Sequence, residues 1–396
     1  MDESLLINVR ALEPGEGVVA AWVRIRRGKI VELGPRERTP DDTERFDGGG
    51  RLLTPGLIDL HTHAIERLAY EAGPEAVIEA SQRLAQYGTT CVLPTLYRAV
   101  SRHRLNELER LATVLPQSEY ACMPGLHLEG PFLALAGAGA ATVAGDVGLL
   151  NELWAAAGGK VAAMSISPEV PGILPVLERL GELGVVPLIT HTRANVAQTQ
   201  AAIDAGARHA THFYDVFPLP DETDPGVRPV GAVETIVADG RCTVDFIADG
   251  VHVHPTAIRA VLAAKGWQRI LLITDANVGA GLPPGTYASP VGGMLRIAAG
   301  DAARMCLPGS PLDGGLAGSA LTMDRGIGNL LAWLKLPEEQ VWAMGSRNPA
   351  RLLNLAGKGT LKVGADADLV LWDQTAAAPR ALRTWVGGRC VFDSSL

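Results

Sequence analysis

Apolar residues along this chain repeat with two periods, and the change of period divides it. From 6 to 53, short runs such as VVAAWVRIRRGKIVELG alternate polar and apolar residues between Gly and Pro. That is the period-two signature of β-strands. From 56 to about 275, strand-length apolar runs take turns with helical segments. The runs are GLIDLHTH, TTCVLPT, GLHLEG, VAAMSIS, VVPLITH, HATHF, TVDFIADG and ILLITDA. Between them lie stretches such as PEAVIEASQRLAQYG, GILPVLERLGELG and NVAQTQAAIDAGA. Eight such runs with helical connectors predict an α/β fold, a (β/α)8 TIM barrel, whose usual length is ~250 residues. Past Asp275 the chain turns Gly/Pro-rich, then helical near 323–336 and again from Asn348, before GTLKVGADADLVLWD and WVGGRCVFD return to strand texture. Strand-rich ends flanking a barrel predict a small β-sandwich domain formed by both chain termini. The expected division is 1–53 plus 357–396 for that split domain and 54–356 for the catalytic barrel.

Composition narrows the class. The 396 residues exceed what one core usually serves, and 47% hydrophobic with 20% charged residues is ordinary for a soluble globular protein. A net charge of −8 without any Lys/Arg cluster argues against a nucleic-acid partner. Cys91, Cys122, Cys242, Cys306 and Cys390 are scattered, odd in number and free of CxxC spacing, which predicts reduced core thiols in a cytoplasmic protein. The opening MDESLLINVR is acidic and has no apolar segment of the secretory kind. No uncharged apolar run approaches the ~20 residues that cross a bilayer, so no membrane partner is expected.

Candidate chemistry appears when polar residues are placed on the runs. In barrels of this kind functional side chains sit at the C-terminal ends of the strands. The first run ends in His61-Thr62-His63, and strand alternation points both imidazoles to one side. The third ends in Glu129, the fifth in His191, the sixth in His212 and the eighth in Asp275. A lone histidine at a strand end is more often a structural residue. Six such residues gathered at the same end of successive strands are not a packing accident. Imidazole and carboxylate together suit a divalent transition metal (zinc, iron or manganese), and with Asp275 the set could serve one or two ions.

The motifs PGLIDLHTH, HLEGPF, ITHTRAN, ATHFYD, IADGVHVHP, ITDANVGAGLPPGTY, LAGSALTMDR, NPARLL and GADADLVLWD resemble those of the N-acetylglucosamine-6-phosphate deacetylases of the amidohydrolase superfamily, in register from about 53 to 373. HLEGPF and LAGSALTMDR are far more diagnostic than HTH, which any member of the superfamily could carry. The resemblance implies that Glu129, His191 and His212 hold the main metal, that His61 and His63 match the pair holding a second ion, and that Asp275 is the catalytic aspartate. It implies hydrolysis of an N-acyl amine by a homodimer with the active site near the interface.

Where that family holds its substrate, this chain departs from the pattern. The family's sugar-touching histidine is replaced by Ala141, and its Asn-Ala-Met stretch by Asp215-Val216-Phe217 after Tyr214. Tyr214 and Asp215 are therefore expected at the substrate, and a carboxylate there would repel a phosphate. Arg228 lies near the family's phosphate arginine, and His252 matches a histidine that reaches the neighbouring subunit's phosphate. His254 is read as structural, and no role is assigned to His103 or His209; His127 could orient the Glu129 loop. A cyclic-amide hydrolase or deaminase, and a non-catalytic barrel scaffold, stay open as alternatives.

Overall fold

The computed structural model describes residues 3–41, 45–137, 139, 141–375 and 378–395. Alternate Leu, Val and Ile side chains at the N-terminal end can be buried on one face while Arg and Glu stay in water, so these runs become strands. They are β1 (Glu3–Glu13), β2 (Gly17–Ala20), β3 (Trp22–Arg26), β4 (Lys29–Gly34) and β5 (Arg45–Pro55).

The barrel starts two residues later. β6 (Leu57–Thr62) leads through a two-stranded ribbon, β7 (Ala64–Ile65) and β8 (Leu68–Ala69), into α1 (Pro74–Leu84). There follow β9 (Thr89–Leu96), α2 (Leu105–Thr113), β10 (Leu126–Glu129), α3 (Val147–Ala156), β11 (Val161–Ile166) and α4 (Ile173–Leu183). The second half runs β12 (Val186–Ile189), α5 (Val196–Asp204), β13 (His209–Ala210), α6 (Ala232–Ala238), β14 (Thr243–Ile247), α7 (Pro255–Lys265) and β15 (Ile270–Ile273). All eight apolar runs are strands of one parallel sheet in sequential order, closed where Asp275 N–H donates to His61 O at 2.8 Å. Near-continuous apolar strands are what a sheet covered on both faces requires. The helices cover the outer face with one apolar stripe each. In α4 that stripe is Ile173, Val176, Leu177 and Leu180, at the spacing of one helical face.

After β15 the structure departs from expectation. The Gly/Pro-rich stretch forms an antiparallel three-stranded sheet, β16 (Gly285–Ala288), β17 (Met294–Ile297) and β18 (Ala303–Cys306), with its own apolar cluster around Val278, Tyr287, Leu295 and Ile297. Then come α8 (Met323–Leu334), α9 (Glu338–Met344), which the sequence pattern did not reveal, and α10 (Arg347–Leu352).

β19 (Leu369–Asp373), β20 (Arg380–Val386) and β21 (Arg389–Asp393) return to the first strands. They join β5 to give the order β21-β20-β19-β5-β1-β3-β4, with β2 on the side of β1. The β3–β4 hairpin folds back onto the segment leading into β19: Ala367 N–H donates to Gly28 O at 2.8 Å and Ile30 N–H to Ala365 O at 2.9 Å. Ile25, Ile30, Leu53, Leu371 and Trp385 fill the space enclosed, apart from the barrel core. Trp372 and Trp342, ring centroids 5.0 Å apart, lock the sheet to the barrel. Each buried indole contributes about 4–6 kcal/mol of apolar transfer at ~25 cal/mol/Å².

The cysteine expectation needs correction. All five thiols are free, but Cys390 is exposed and Cys122 and Cys306 are half-buried, leaving only Cys91 and Cys242 in the core.

Candidate active site

The strand ends named above meet at one mouth of the barrel. Glu129 ends β10, and its carboxylate is buried among imidazoles. His191 Nε2 lies 3.3 Å and His212 Nε2 3.4 Å from Glu129 Oε1, with His61 Nε2 at 3.6 Å. His63 Nε2 sits 3.2 Å from Glu129 Oε2 and 3.2 Å from Asp275 Oδ1. Six predicted residues, His61, His63, Glu129, His191, His212 and Asp275, thus form one buried cluster.

Ring orientations are set from behind. His212 Nδ1 faces the backbone oxygen of Asp215 at 3.3 Å, His63 Nδ1 that of Thr95 at 3.2 Å, and His61 Nδ1 the Thr211 hydroxyl at 3.0 Å. An N–H at each Nδ1 leaves the Nε2 lone pair aimed inward, the tautomer a metal ligand needs. His61 Nε2 is buried with no hydrogen-bond partner, although two carboxylates stand 3.6 and 3.7 Å away. Donor atoms around an ion with ligands at 2.0–2.1 Å in tetrahedral array lie about 3.3–3.4 Å apart. The spacings from Glu129 Oε1 to His191 and His212 lie near that value, and His61, Glu129 and His212, like His61, His63 and Asp275, bring ligand atoms within 4.8 Å of one another. The donor set fits a divalent metal.

The backbone is strained where it presents this site. His191, His212 and Asp275 have φ of 48°, 36° and 47°, a left-handed conformation that costs an L residue roughly 1–2 kcal/mol. Buried polar groups enforce each one. Asp245, paired with His209 Nε2 at 2.8 Å, accepts the His212 N–H. The Ser167 hydroxyl donates to the Thr190 and His191 carbonyls at 2.9 Å. Asp59 accepts from the Thr274 backbone and hydroxyl, and Ser319 N–H donates to Asp275 O at 2.7 Å. Gly318 is required there, because a Cβ would stand 2.6 Å from that same Asp275 oxygen. Gly137 plays the corresponding part over His191, whose Cε1 would lie 2.1 Å from an added Cβ.

Electrostatics follow from this crowding. Burial would raise the Glu129 carboxyl, but the His61 charge and the His191 and His212 imidazoles facing it hold it well below the usual range. Burial opposes ionisation of Asp275 too, yet the His61 charge and the His63 hydrogen bond keep it at about 2. Asp275 is therefore an unprotonated acceptor at neutral pH. Burial pulls the His212 imidazole down, and its hydrogen bond to Glu129 and the nearby Asp215 charge bring it up to about 9; a metal ion binding at Nε2 would displace that proton.

Other expected residues are placed less uniformly. Asp215 and His252 line the same cavity, and His252 Nδ1 is bound to Asp249 at 2.7 Å. Arg228 is not at the site: its side chain is 65% exposed and pairs with Glu234 at 2.7 Å, outside the cavity wall. Tyr214 is turned away as well and packs between Phe213 and Phe246, because an apolar pocket behind the strand end takes its ring. His254 caps α7 through Nδ1. His127 sits edge-on to His61 at 4.5 Å and bonds Ser165, so it props His61 directly. Sequence reasoning missed Tyr97, which lines the cavity edge-on to His63 at 5.3 Å, and the roof residues Met305, Leu312 and Leu316. It also missed Asp245, whose signal was a charged residue inside the apolar run TVDFIADG.

An eight-stranded parallel barrel carrying histidines and carboxylates at its strand ends defines a metal-dependent hydrolase scaffold. The sequence pattern of the amidohydrolase family matches residues 52–392, and the chain belongs to that family. It is a carbon–nitrogen hydrolase. It is 32% identical over 359 residues to an N-acetylglucosamine-6-phosphate deacetylase of Lysinibacillus sphaericus, covering 89% of each chain. It is 29% identical to an N-acetylgalactosamine-6-phosphate deacetylase of Escherichia coli O157:H7, covering 96% of this chain and 93% of that one. Its fold superposes with a TM-score of 0.85, at 27% identity and over 99% of this chain and 100% of the other, on Mycobacterium smegmatis N-acetyl-D-glucosamine-6-phosphate deacetylase in complex with N-acetyl-D-glucosamine-6-phosphate. Among the described residues no helix is long and apolar enough to cross a membrane.

Proposed function

We propose that this chain is a deacetylase of N-acetylated amino sugars that works with a divalent transition metal (zinc, iron or manganese). The observation that carries the reading is one buried carboxylate, Glu129, meeting four imidazole Nε2 atoms at 3.2–3.6 Å with Asp275 across the gap. Glu129, His191 and His212 would hold the ion, and His61 and His63 could hold a second. When bound, such an ion supplies Lewis-acid polarisation of the amide carbonyl and brings the pKa of water toward ~7. Asp275, ionised and anchored by His63, takes the proton of the attacking water and returns it to the leaving nitrogen. Tyr97 and the roof residues Met305 and Leu316 narrow the cavity to about 570 Å³, room for one sugar and few waters.

The direct test is acetate release by metal-reconstituted protein from N-acetylglucosamine, N-acetylgalactosamine and their 6-phosphates, with a chelator control. At least one substrate should reach kcat/KM of about 10⁴ M⁻¹s⁻¹ or more, and chelation should abolish it. Release of ammonia in place of acetate would move the chain to the deaminases.

A cytoplasmic homodimer with the site near the interface completes the proposal. Leu219, Val227 and Val230, each 46–55% exposed, stand on the loop continuing from Asp215 and support that face as the contact. Sedimentation at micromolar concentration should give twice the 41.6 kDa chain mass; a stable monomer contradicts it.

A further inference from the structure

At the end of the barrel away from the metal cluster, two of the five thiols stand side by side. Cys91 lies near the start of β9, and Cys122 in the segment that leads into β10. Val92 N–H donates to Cys122 O at 2.9 Å and Cys122 N–H to Thr90 O at 2.8 Å, so the two cysteines pair across a parallel bridge. Paired residues of neighbouring strands lie about 4.8 Å apart and send their side chains to one face. That spacing falls inside the ~4.4–6.8 Å between Cα atoms that a disulfide spans. The two thiols differ in access, since Cys91 is 1% exposed whereas Cys122 is only half-buried. They differ in charge as well. The facing Cys91 thiol and the Lys358 ammonium bring the Cys122 thiol down to about 7 against its partial burial, while Cys91 itself is pushed well up. Lys358 is fixed in place, because Asp368 and Asp366 hold its ammonium at 2.5 and 3.1 Å and temper its pull on the sulfur. The catalytic reading uses neither cysteine: Cys91 precedes Thr95, whose carbonyl faces His63, by four residues or about 13 Å of strand.

We infer that Cys91 and Cys122 form a reversible two-electron redox site, which a peroxide oxidises to an intramolecular disulfide on the barrel floor. An accessible thiolate beside a covered partner thiol is the arrangement such chemistry needs. The Cys122 thiolate attacks one peroxide oxygen, the O–O bond breaks, and the other oxygen leaves as hydroxide, which solvent protonates to water. The sulfenic acid on Cys122 is then attacked by the Cys91 sulfur. The S–S bond forms as the S–O bond breaks, and the departing hydroxide takes the Cys91 proton to give a second water. One peroxide is reduced by the two electrons that the thiols give up. A dithiol reductant reverses the change by exchange at the same sulfurs. The burial of Cys91 gives the two residues separate parts, Cys122 meeting the oxidant and Cys91 resolving the product.

The experiment treats the freshly reduced full chain, loaded with redox-inert zinc, with a small excess of hydrogen peroxide at neutral pH. The reaction is quenched, the protein unfolded, the remaining thiols alkylated and the peptides mapped without reduction. The expected product joins the Cys91 and Cys122 peptides of one chain and leaves Cys242, Cys306 and Cys390 alkylated. Cys122 should be consumed at least about tenfold faster than Cys390, because more of it is thiolate, although Cys390 is the more exposed of the two. Dithiothreitol should return all five thiols. Cys91→Ser should halt Cys122 at the sulfenic acid, where a 1,3-diketone traps it, and Cys122→Ser should leave Cys91 reduced. Oxidation that falls first on Cys390, a bond found only between chains, or Cys122 carried to sulfinic acid beside a reduced Cys91 overturns the inference. The wild-type peptide map decides between these results even if a serine variant fails to fold.

Discussion

His191→Ala is expected to strip the purified protein of most of its metal and nearly all of its activity. The imidazole faces Glu129 Oε1 at 3.3 Å from a wall only 4% exposed, so no other side chain can swing in to replace it. Loss of a supporting contact behind a ligand already costs ~10–100-fold in metal affinity, and loss of the ligand itself should exceed the upper end of that range. The backbone needs its own control. His191 has φ 48°, a conformation costing roughly 1–2 kcal/mol that histidine already bears and alanine bears at least as fully, a stability effect unrelated to metal. Asparagine tolerates the left-handed region better, so His191→Asn should melt closer to wild type while still losing metal. Metal-to-protein ratio by mass spectrometry and acetate release measure the two effects side by side. A His191→Ala protein that retains metal and normal turnover would falsify the ligand assignment.

Asp275→Asn should separate binding from chemistry. The substitution preserves shape and one oxygen but removes the proton acceptor, and Glu129, His191 and His212 do not depend on it. Metal content should therefore stay near wild type while kcat falls by ~10²–10⁴ or more, the usual worth of general acid–base assistance. Because Asp275 stays ionised down to about pH 2 under the influence of the His61 and His63 imidazoles after its burial is offset, wild type should not lose its base anywhere near neutrality. Turnover within about threefold of wild type in the asparagine variant, well below that range, would mean that another group moves the proton.

Much of this arrangement was legible because the same residues announce both strand and site. Runs such as ILLITDA are apolar until their last few positions, and a polar residue there has nowhere to point except the barrel mouth. All eight barrel strands and all six clustered residues were found by that rule. What escaped it were elements too short to carry a period. β16, β17 and β18 are four residues each, separated by Gly and Pro, so the texture read as loop. The helix α9 has seven residues and barely two turns. Arg228 and Tyr214 lie off this chain's cavity for a different reason. Both were placed by alignment with a pattern across a loop, and a loop fixes neither rotamer nor direction. The props behind the site, Asp59, Asp245 and Ser167, looked like exceptions in buried runs. They are polar because strained backbone amides and carbonyls there need partners.

The pairing of β5 with β19 sets a condition on how the protein is made. Leu53 opposes Leu371 and Thr54 opposes Val370, partners roughly 300 residues apart in the chain. At the ~5–20 residues per second of synthesis, the far edge of β5 waits roughly 15–60 s for its neighbour. During that interval it is an open strand edge able to pair with another nascent copy. The sequence of β5 meets the hazard directly. Its first half carries Arg45, Asp47, three successive glycines and Arg51, and its ladder to β1 is broken by a register shift. Only the last residues, Leu52 to Pro55, are apolar enough to be sticky, and those are the ones β19 eventually covers.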